Sequence, residues 1–345
     1  MSSLPPSAME GAIPVAVQPP PDPVRAAVPA DAEHVARAVE ILRQGRLVAF
    51  PTETVYGLGA DASNADALAL LYKTKGRPHD HPVIVHISGP DQFERWAREV
   101  PDAARLLAAR FWPGPLTLVL KRASGVSDAL TGGQDTVGLR VPAHPVAQAL
   151  LAAFGGGVAA PSANRFGRVS PTVAEHVRAD LGNDVDLILD GGACEVGIES
   201  TILDLSRGEA VLLRPGRVGA EDIAKAIGAE PQTPDAEAPR APGGLQAHYA
   251  PRAKLKLLKR VAMLEALSTH KGRRLAALAI EVSVPRLAPP LLIVVPAVAA
   301  VYAHSLYANL RALDATGCDE ILVEEPPQSA RWDGVRDRLA RASAA

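Results

Sequence analysis

Polar side chains that could bind a ligand crowd into a short stretch directly after an apolar run. Residues 47–50 predict a buried strand, and Pro51 ends it because proline has no N–H to donate to a sheet. Two threonines, a glutamate and a tyrosine follow, and Gly57 and Gly59 allow a tight turn or the close approach of a ligand. Open α/β sheets bind ligands in such loops. An ordinary turn whose side chains cap the next helix is the alternative.

Basic residues in other loops favour a ligand that carries phosphate. Each of them alone is typical of a solvated surface charge. Together, beside loops rich in hydroxyls and asparagine, they have the chemistry that phosphate recognition needs. The residues are Lys75, Arg77, Arg140, Arg165, Arg168, Arg214 and Arg217. The sequence has neither a P-loop nor a Gly-x-Gly-x-x-Gly after a strand, so side chains would have to hold the phosphates.

Thiol and metal chemistry have little support in the sequence. Cys194 follows a Gly-Gly pair but has no histidine close to it. His79 and His81 flank Asp80 in a predicted loop without a clear third and fourth ligand. We therefore expect no catalytic cysteine and no protein-bound metal.

The composition predicts a globular protein of two domains. The chain has 345 residues, of which 48% are hydrophobic, and its net charge is −2. This balance argues against a general polyanion binder. The two cysteines, Cys194 and Cys318, are far apart and indicate a reducing compartment. There is no apolar run of membrane-spanning length and no secretory signal, so we expect a cytoplasmic protein without membrane contact.

The hydrophobic periodicity predicts an α/β fold with a mixed sheet. Asp31, Asn64 and Thr172 are predicted to cap helices, and a further helix is predicted over residues 145–154. The predicted strands of the first domain cover residues 47–50, 82–87, 116–120, 136–141, 158–160, 187–189, 200–205 and 210–214.

Changes in composition divide the chain into four parts. Residues 1–30 predict a flexible extension, 31–227 the first domain, 228–253 a linker and 254–345 a small doubly wound α/β domain. In the small domain, strands are predicted at 255–258, 275–280, 291–295 and 321–323, and helices include 298–313 and 332–340.

Seven short motifs, taken together, resemble one protein family. They are Pro-Thr-Glu-Thr-Val-Tyr-Gly-Leu-Gly at 51–59, Lys-Gly-Arg-Pro at 75–78, Phe-Trp-Pro-Gly-Pro-Leu-Thr at 111–117, Ala-Pro-Ser-Ala-Asn at 160–164, Glu-Ser-Thr at 199–201, Leu-Arg-Pro-Gly at 213–216 and His-Tyr-Ala-Pro at 248–251. The first six resemble the YrdC-like domain. The seventh, placed before a small α/β domain, resembles the two-domain L-threonylcarbamoyladenylate synthase family. The resemblance covers about residues 31–345.

This resemblance implies a fold and a reaction. The fold would be a twisted YrdC-like α/β sandwich with a concave basic cavity, followed by a small Rossmann-like domain. The enzyme would be a nucleotidyltransferase that joins L-threonine, bicarbonate or CO2, and ATP with Mg²⁺ into threonylcarbamoyl-AMP, with release of pyrophosphate and water. The product would serve the threonylcarbamoyladenosine modification of tRNA beside the anticodon. A separate transferase complex would complete that modification, and tRNA binding by this chain would be weak at most.

The resemblance also implies site residues, motif by motif. The threonine side would use Thr54, His86, Arg140, Ser200 and the backbone near Ala160. The ATP side would use Arg77, His81, Thr136, Ser162, Asn164, Ser170, Arg214 and Tyr249, and His81 stands where the family often has asparagine. Lys75 and Arg77 would act catalytically near the phosphates or bicarbonate, and the linker that carries Tyr249 would be a natural lid.

Three other interpretations remain open from the sequence. A related carbamoyl-adenylate enzyme could use another acceptor, and the predicted threonine pocket argues for threonine. An RNA-binding module is disfavoured by the acidic charge balance and by the lack of aromatic residues that alternate with basic ones. A purely structural scaffold would leave the cluster of polar loops at strand ends unexplained.

Overall fold

The computed structural model describes residues 27–269, 274–281 and 291–345. The first sheet contains β1 (Val28–Pro29), β2 (Val48–Phe50), β3 (Gly57–Asp61), β4 (Ile84–His86), β5 (Leu116–Lys121), β6 (Thr136–Arg140), β7 (Val158–Ala159), β8 (Leu187–Asp190), β9 (Thr201–Asp204) and β10 (Val211–Arg214). The second sheet contains β11 (Lys254–Leu258), β12 (Leu275–Ile280), β13 (Leu292–Val295) and β14 (Glu320–Glu324).

The helices lie between these strands and after them. They are α1 (Ala32–Arg43), α2 (Ala65–Lys75), α3 (Phe93–Trp96), α4 (Asp102–Phe111), α5 (Asp128–Thr131), α6 (Pro145–Phe154), α7 (Ala174–Leu181), α8 (Ala220–Ile227), α9 (Arg260–Thr269), α10 (Ala299–Ala315) and α11 (Asp333–Ser343). No helix in the described ranges combines the length and the apolarity that a membrane crossing requires.

Sheet topology confirms the predicted α/β class. The first sheet has the order β1-β8-β2-β3-β7-β4-β6-β5-β9-β10 and mixes parallel with antiparallel pairs. The second sheet, β11-β14-β12-β13, is parallel throughout and belongs to the C-terminal domain. Between the two sheets, the predicted linker 228–253 contains no helix, and its strand pairing consists of isolated bridges.

The N-terminal extension was predicted over residues 1–30, and residues up to 26 lie outside the described part. Its end is structured, because Val28 and Pro29 of β1 pair in parallel with Leu189 and Asp190 of β8. The extension therefore ends before residue 28. The flexible-segment prediction was wrong for these two residues because strand pairing with a distant element leaves no local signal in Pro- and Ala-rich sequence.

Helix caps follow the predicted chemistry at two of the three positions. Asp31 accepts the N–H of His34, and Asn64 accepts those of Asp66 and Ala67, as N-cap side chains do. Thr172 does not cap a helix: α7 begins after Val173, which makes no side-chain cap.

The two glycines after the polar loop lie in a strand and not in a turn. Gly57 and Gly59 belong to β3, which pairs antiparallel with β2. A Cβ atom on Gly59 would come within 2.9 Å of both Phe50 and Val158. A Cβ atom on Gly57 would lie 3.2 Å from that of Ala160. These glycines therefore allow neighbouring layers to pack closely, and the turn itself is formed by residues 51–56.

Strand alternation divides the first sheet into a packed face and an open face. In β4 and β6, Val85 and Leu139 face the main core under the helices, and the residues beside them face the other way, as the two-residue period requires. On that second face, Ile84, Val119 and Ile202 form a small cluster. The linker residue Ala241 packs against this cluster. The second face is therefore the floor of a space that the linker covers.

Close packing at Gly59 leads to a stability prediction. We expect Gly59→Ala to destabilise the protein by about 1–3 kcal/mol, because the added methyl group overpacks the β2–β3–β7 junction. Urea unfolding followed by circular dichroism measures the change. Gly125→Ala is the matched control, since a Cβ atom there meets nothing within 4 Å. Equal effects of the two substitutions would contradict the packing argument.

Candidate active site

A cavity lies on the open face of the first sheet, under the linker. Its volume is about 50 Å³, which is room for one or two water molecules. Guanidinium groups of Arg77, Arg140 and Arg214 line it together with the hydroxyls of Thr52, Thr54, Ser162 and Ser200. Its remaining lining is Val55, Gly57, Ile84, His86, Ala160, Pro161, Glu199, Pro242, Gly243, His248 and Tyr249. The fold thus gathers basic and hydroxyl side chains from distant motifs around one small space.

The first polar loop is organised by a threonine hydroxyl that sequence reasoning did not single out as a ligand. Thr52 Oγ1 donates to the carbonyl of Val55 at 2.6 Å and accepts the backbone N–H groups of Thr54 and Val55, both at 3.2 Å. Because its one proton is donated to Val55, it accepts the hydroxyl of Thr54 at 2.8 Å. Such local side-chain bonds are how Ser and Thr shape turns. They fix the Thr54 hydroxyl against the cavity.

Arg140 is held in a buried ion pair that leaves part of its guanidinium for a ligand. Its Nη2 donates to Glu53 Oε1 at 2.7 Å, and its Nε donates to the carbonyl of Gly114 at 3.2 Å. The second carboxylate oxygen of Glu53 accepts the N–H of Ala143 at 2.9 Å. Both charged side chains are less than a tenth exposed. Glu53 therefore orients Arg140, and Nη1 is the nitrogen left to face a substrate.

His86 is a neutral imidazole beside that cation. It is the cross-strand partner of Arg140 in the parallel pair of β4 and β6, so both side chains lie on the cavity face. Burial, with a further contribution from the Arg140 charge, lowers the pKa of His86 to about 3. Its Nδ1 is buried without a hydrogen-bond partner among the described residues.

Arg214 connects the cavity to the linker. Its Nε and Nη2 donate to the carbonyl of Ser200 at 3.1 and 2.9 Å, and Nη2 also reaches the Ser200 hydroxyl at 3.2 Å. The remaining nitrogen, Nη1, donates to the carbonyl of Pro242 in the linker at 2.8 Å. A shift of the linker would free Nη1 for a ligand.

Lys75 lies behind the cavity wall. Its Nζ donates to the carbonyls of Ser162 and Asn164 at 2.5 and 2.6 Å. Burial, together with the charge of Arg77, holds the pKa of Lys75 well below its usual value. In the described structure Lys75 supports the loop that carries Ser162, and it does not line the cavity.

The structure places the sequence-predicted residues in two groups. Nine line the cavity: Thr54, Arg77, His86, Arg140, Ala160, Ser162, Ser200, Arg214 and Tyr249. Five do not: Lys75, His81, Thr136, Asn164 and Ser170. Two of these five contact side chains close to the cavity. Ser170 donates to Glu199 at 2.6 Å, and the ring of His81 stands edge-on to Phe166 with centroids 5.5 Å apart.

Two titratable cavity residues escaped the sequence prediction. Glu199 and His248 sit beside predicted residues inside their motifs, and that adjacency was the available signal. His248 packs edge-on against Phe166 and Tyr249, at 5.6 and 4.2 Å between ring centroids. Burial lowers the pKa of His248 to about 3. Like His86, it is a neutral, buried imidazole.

The geometry offers little to thiol or metal chemistry. Cys194 is buried, and burial together with the charge of Glu53 raises its pKa to about 12. That value makes it a poor nucleophile, because the thiolate is the reactive form. Among the described residues, no group of three or more His, Cys, Asp and Glu side chains is arranged to hold a metal ion.

Comparison with known proteins identifies two family profiles in the chain. Residues 40–216 match the family of Sua5, YciO and YrdC, which is described as "Telomere recombination". Residues 218–344 match the profile described as "Threonylcarbamoyl-AMP synthase, C-terminal domain".

Two relatives and a solved structure resemble the chain over most of its length. The threonylcarbamoyl-AMP synthase of Pyrococcus abyssi is 40% identical over 319 residues, which are 89% of this chain and 93% of the relative. That of Bacillus subtilis is 39% identical over 335 residues, 90% of this chain and 92% of the relative. The crystal structure of P. abyssi Sua5 in complex with L-threonine superposes with a TM-score of 0.84 at 38% identity, covering 91% of this chain and 95% of the other.

The buried neutral histidines lead to a pH prediction. In the unfolded chain each histidine takes up a proton near its ordinary pKa of 6.5, but His86 and His248 stay neutral in the folded protein down to about pH 3. Above the histidine pKa of the unfolded chain, neither residue disfavours the folded state. Below it, protonation of the unfolded chain increasingly favours unfolding as the pH falls. We expect each to reduce the free energy of unfolding by about 1.4 kcal/mol per pH unit between about pH 6 and pH 4.

Urea titrations across this pH range measure that slope. His248→Gln removes one of the histidines that bind a proton only on unfolding. The slope of its unfolding free energy against pH is therefore expected to be shallower than that of the wild-type protein by about one proton. An unchanged slope would mean that His248 is protonated in the folded state.

Proposed function

This chain belongs to the threonylcarbamoyl-AMP synthase family, and from that premise we propose that its cavity joins L-threonine, bicarbonate or CO2, and ATP into threonylcarbamoyl-AMP. Pyrophosphate is the other product, and one water is released as well when bicarbonate supplies the carbon by dehydration to CO2. The observation that carries this proposal is the convergence of three guanidinium groups and four hydroxyls on one covered cavity. Such a set favours substrates with carboxylate and phosphate groups.

The charge balance of the cavity fits anionic substrates. Arg77 and Arg214 donate hydrogen bonds to backbone carbonyls and, from Arg214, to the Ser200 hydroxyl, and these neutral acceptors do not cancel the positive charge. Glu199 is the one carboxylate among the residues that line the cavity. The excess of positive charge in a poorly hydrated space stabilises bound anions more strongly than it would in water.

The threonine side of the site is formed by Thr54, His86, Arg140 and Ser200, with the backbone near Ala160. Arg140 binds the amino acid carboxylate by donating from the nitrogen that Glu53 leaves free, and Glu53 fixes the plane of the guanidinium. His86 contributes no charge of its own near neutral pH. The Thr54 and Ser200 hydroxyls offer hydrogen bonds to the polar groups of threonine.

The ATP side is formed by Arg77, Ser162, Arg214 and Tyr249, with Asn164, Ser170, Thr136, His81 and Lys75 around it. Mg²⁺ would arrive with ATP and would neutralise charge on its phosphates, without a dedicated set of protein ligands, as is usual for this ion. This fits the donor set of the chain, since both oxygens of Glu199 already accept hydrogen bonds from Ser170, Tyr307 and Arg338.

The reaction needs no protein nucleophile. The neutral amine of threonine attacks the carbon of CO2, a C–N bond forms, and loss of a proton leaves a carbamate. The carbamate oxygen then attacks the α-phosphorus of ATP, and the bond to the bridging oxygen breaks as pyrophosphate leaves. The protein contributes position and charge: it aligns the reactants and neutralises the negative charge that develops on the phosphates.

The linker is the lid of this site. Pro242 and Gly243 line the cavity from the linker side, and the space of about 50 Å³ beside them is much smaller than a nucleotide. We therefore expect these residues to move when ATP enters. Closure over bound substrates would exclude water, and the carbamate intermediate requires this because it is labile in water.

The product points to a place in tRNA modification. We propose that a separate transferase complex takes up threonylcarbamoyl-AMP and transfers the threonylcarbamoyl group to adenosine beside the anticodon. Direct binding of tRNA to this chain has no part in the reaction described above.

Pyrophosphate release from ATP tests the proposed reaction. We expect release that requires both bicarbonate and threonine when each common amino acid is offered in turn. Arg140→Ala is expected to lower kcat/KM for threonine by about a hundredfold or more, because a buried charge pair loses its cation. Arg140→Lys keeps the charge without the planar fork and is expected to lose less.

Arg98→Ala is the matched control, because Arg98 is exposed and pairs with Asp135 and Glu99 away from the cavity. Pyrophosphate release with a different amino acid would mean that the enzyme uses another acceptor than threonine. No release with any amino acid, despite measurable ATP binding, would refute it.

Limited proteolysis tests the lid. Gln134 fastens the linker, because its side chain accepts the N–H of Arg240 at 2.6 Å and donates to the carbonyl of Arg240 at 3.1 Å. We expect Gln134→Ala to accelerate trypsin cleavage after Arg240 by about tenfold, since two hydrogen bonds no longer oppose opening. In Gln232→Ala the substituted side chain bonds only Glu209, so this control should cleave at the wild-type rate. Equal cleavage rates in all three proteins would contradict the lid assignment.

A further inference from the structure

Side chains of the C-terminal domain hold the carboxylate of one glutamate at the cavity. Glu199 precedes β9 and is 7% exposed. Its Oε1 accepts the Ser170 hydroxyl at 2.6 Å. Its Oε2 accepts the Tyr307 hydroxyl at 2.9 Å and Nε of Arg338 at 2.7 Å. Tyr307 lies on α10 and Arg338 on α11, so both hydrogen bonds to Oε2 come from the other domain.

Arg338 is the most completely enclosed part of this contact. Its side chain has no exposed surface. Besides bonding the Glu199 carboxylate, it donates to the carbonyls of Glu199 and Pro215 at 3.2 and 2.9 Å and pairs with Asp337 at 2.7 Å. Pro215 directly follows Arg214. One guanidinium group thus fixes the backbone on both sides of the cavity wall that carries Ser200 and Arg214.

The same guanidinium also restrains Tyr249. Its central carbon lies 5.4 Å from the centre of the Tyr249 ring, within the range of a cation–π contact. Tyr249 has a φ of 62°, in the left-handed region that an aromatic residue adopts only when its surroundings force it. The ring is further stacked on Tyr307 with centroids 5.9 Å apart. The C-terminal domain therefore holds this strained residue in place.

The negative charge of Glu199 explains why its contact with Arg338 matters for a bound ligand. Burial alone would raise the pKa of Glu199, but the fields of Arg338 and Arg214, together with hydrogen bonds from Ser170 and Arg338, lower it to about 2. Glu199 is therefore an anion beside a site for anionic substrates. Without Arg338, the cation left to stabilise the Glu199 carboxylate would be Arg214. The carboxylate would then compete with a nucleotide for Arg214.

We propose that Arg338 of the C-terminal domain is a positioning residue for the nucleotide side of the cavity: by neutralising Glu199 and clamping Tyr249, it keeps Arg214 available to the phosphates of ATP. The proposal rests on the proposed function, because it takes the cavity to be the ATP site. It makes the C-terminal domain part of the active site through a residue that touches no substrate.

The test is equilibrium binding of ATP, measured by calorimetry, to full-length variants. We expect Arg338→Met to weaken ATP binding by about tenfold to a hundredfold, the range for loss of a buried charge partner. Threonine binding should weaken much less, by about threefold at most, because Ser200 loses only a backbone contact beside it. Arg336→Met is the matched control on the same helix, because Arg336 pairs with Asp333 and with carbonyls of its own domain. It should bind ATP as the wild-type protein does.

A second substitution separates positioning from simple destabilisation. Glu199→Gln removes the competing charge, so Arg338→Met combined with Glu199→Gln should bind ATP more tightly than Arg338→Met alone. A purely structural role predicts the opposite, a further loss from the second substitution. That result, or equal loss of ATP and threonine affinity in Arg338→Met, would overturn the proposal.

Tyr307→Phe keeps the proposal testable if Arg338→Met does not fold. It removes one hydrogen bond to Glu199 without changing any charge, and we expect ATP binding to weaken by about threefold to tenfold. Unchanged ATP affinity in this variant would count against the proposal. Because the measurement is binding and not turnover, a wild-type protein that binds ATP but releases no pyrophosphate would refute the proposed function alone.

Discussion

The structure depends on burying several cations around one cavity without cancelling their charge. Arg77 and Arg214 achieve this by donating to backbone carbonyls, those of Pro82, Ser200 and Pro242. A carbonyl satisfies the hydrogen-bonding requirement of a buried donor but leaves its charge in place. Arg140 and Arg338 instead pair with carboxylates, which fix the planes of their guanidinium groups.

Buried apolar contacts and an ion pair join the two domains beside the cavity. One hydrophobic cluster combines Val55, Val169 and Ile198 of the first domain with the core of the C-terminal domain. Arg311 of α10 pairs with Asp180 of α7. Packing at the interface is close: a Cβ atom on Gly334 of α11 would lie 2.9 Å from Ile198. Because Ile198 adjoins Glu199, displacement of the C-terminal domain would reach the cavity wall directly.

Local chemistry made the first level of this structure predictable from sequence. Periodicity located the strands that form the cavity floor, Asp31 and Asn64 marked helix starts, and the motifs named nine residues that line the cavity. What sequence reasoning missed depends on contacts between distant residues. Gly57 and Gly59 signal a turn by type, but close packing against β7 and the residue after it places them in a strand. The partnership of Glu199 with Arg338 spans 139 positions, and no spacing rule connects such residues.

The energetics of the contacts around the cavity separate the part that moves from the part that stays. The part of the linker near Arg240 is fastened to the 132–134 loop through exposed hydrogen bonds, each worth about 1 kcal/mol, whereas Tyr249 at its other end is buried against the C-terminal domain. The C-terminal domain is fastened through a fully buried guanidinium, and breaking such a pair costs about 3–5 kcal/mol because it leaves an uncompensated charge. This difference favours a route of substrate entry, as part of the proposed mechanism, in which the linker is released near Pro242 while the C-terminal domain remains docked. On that route the nucleotide would replace the carbonyl of Pro242 on Arg214, so the contact that closes the empty site would be the one that the substrate takes over.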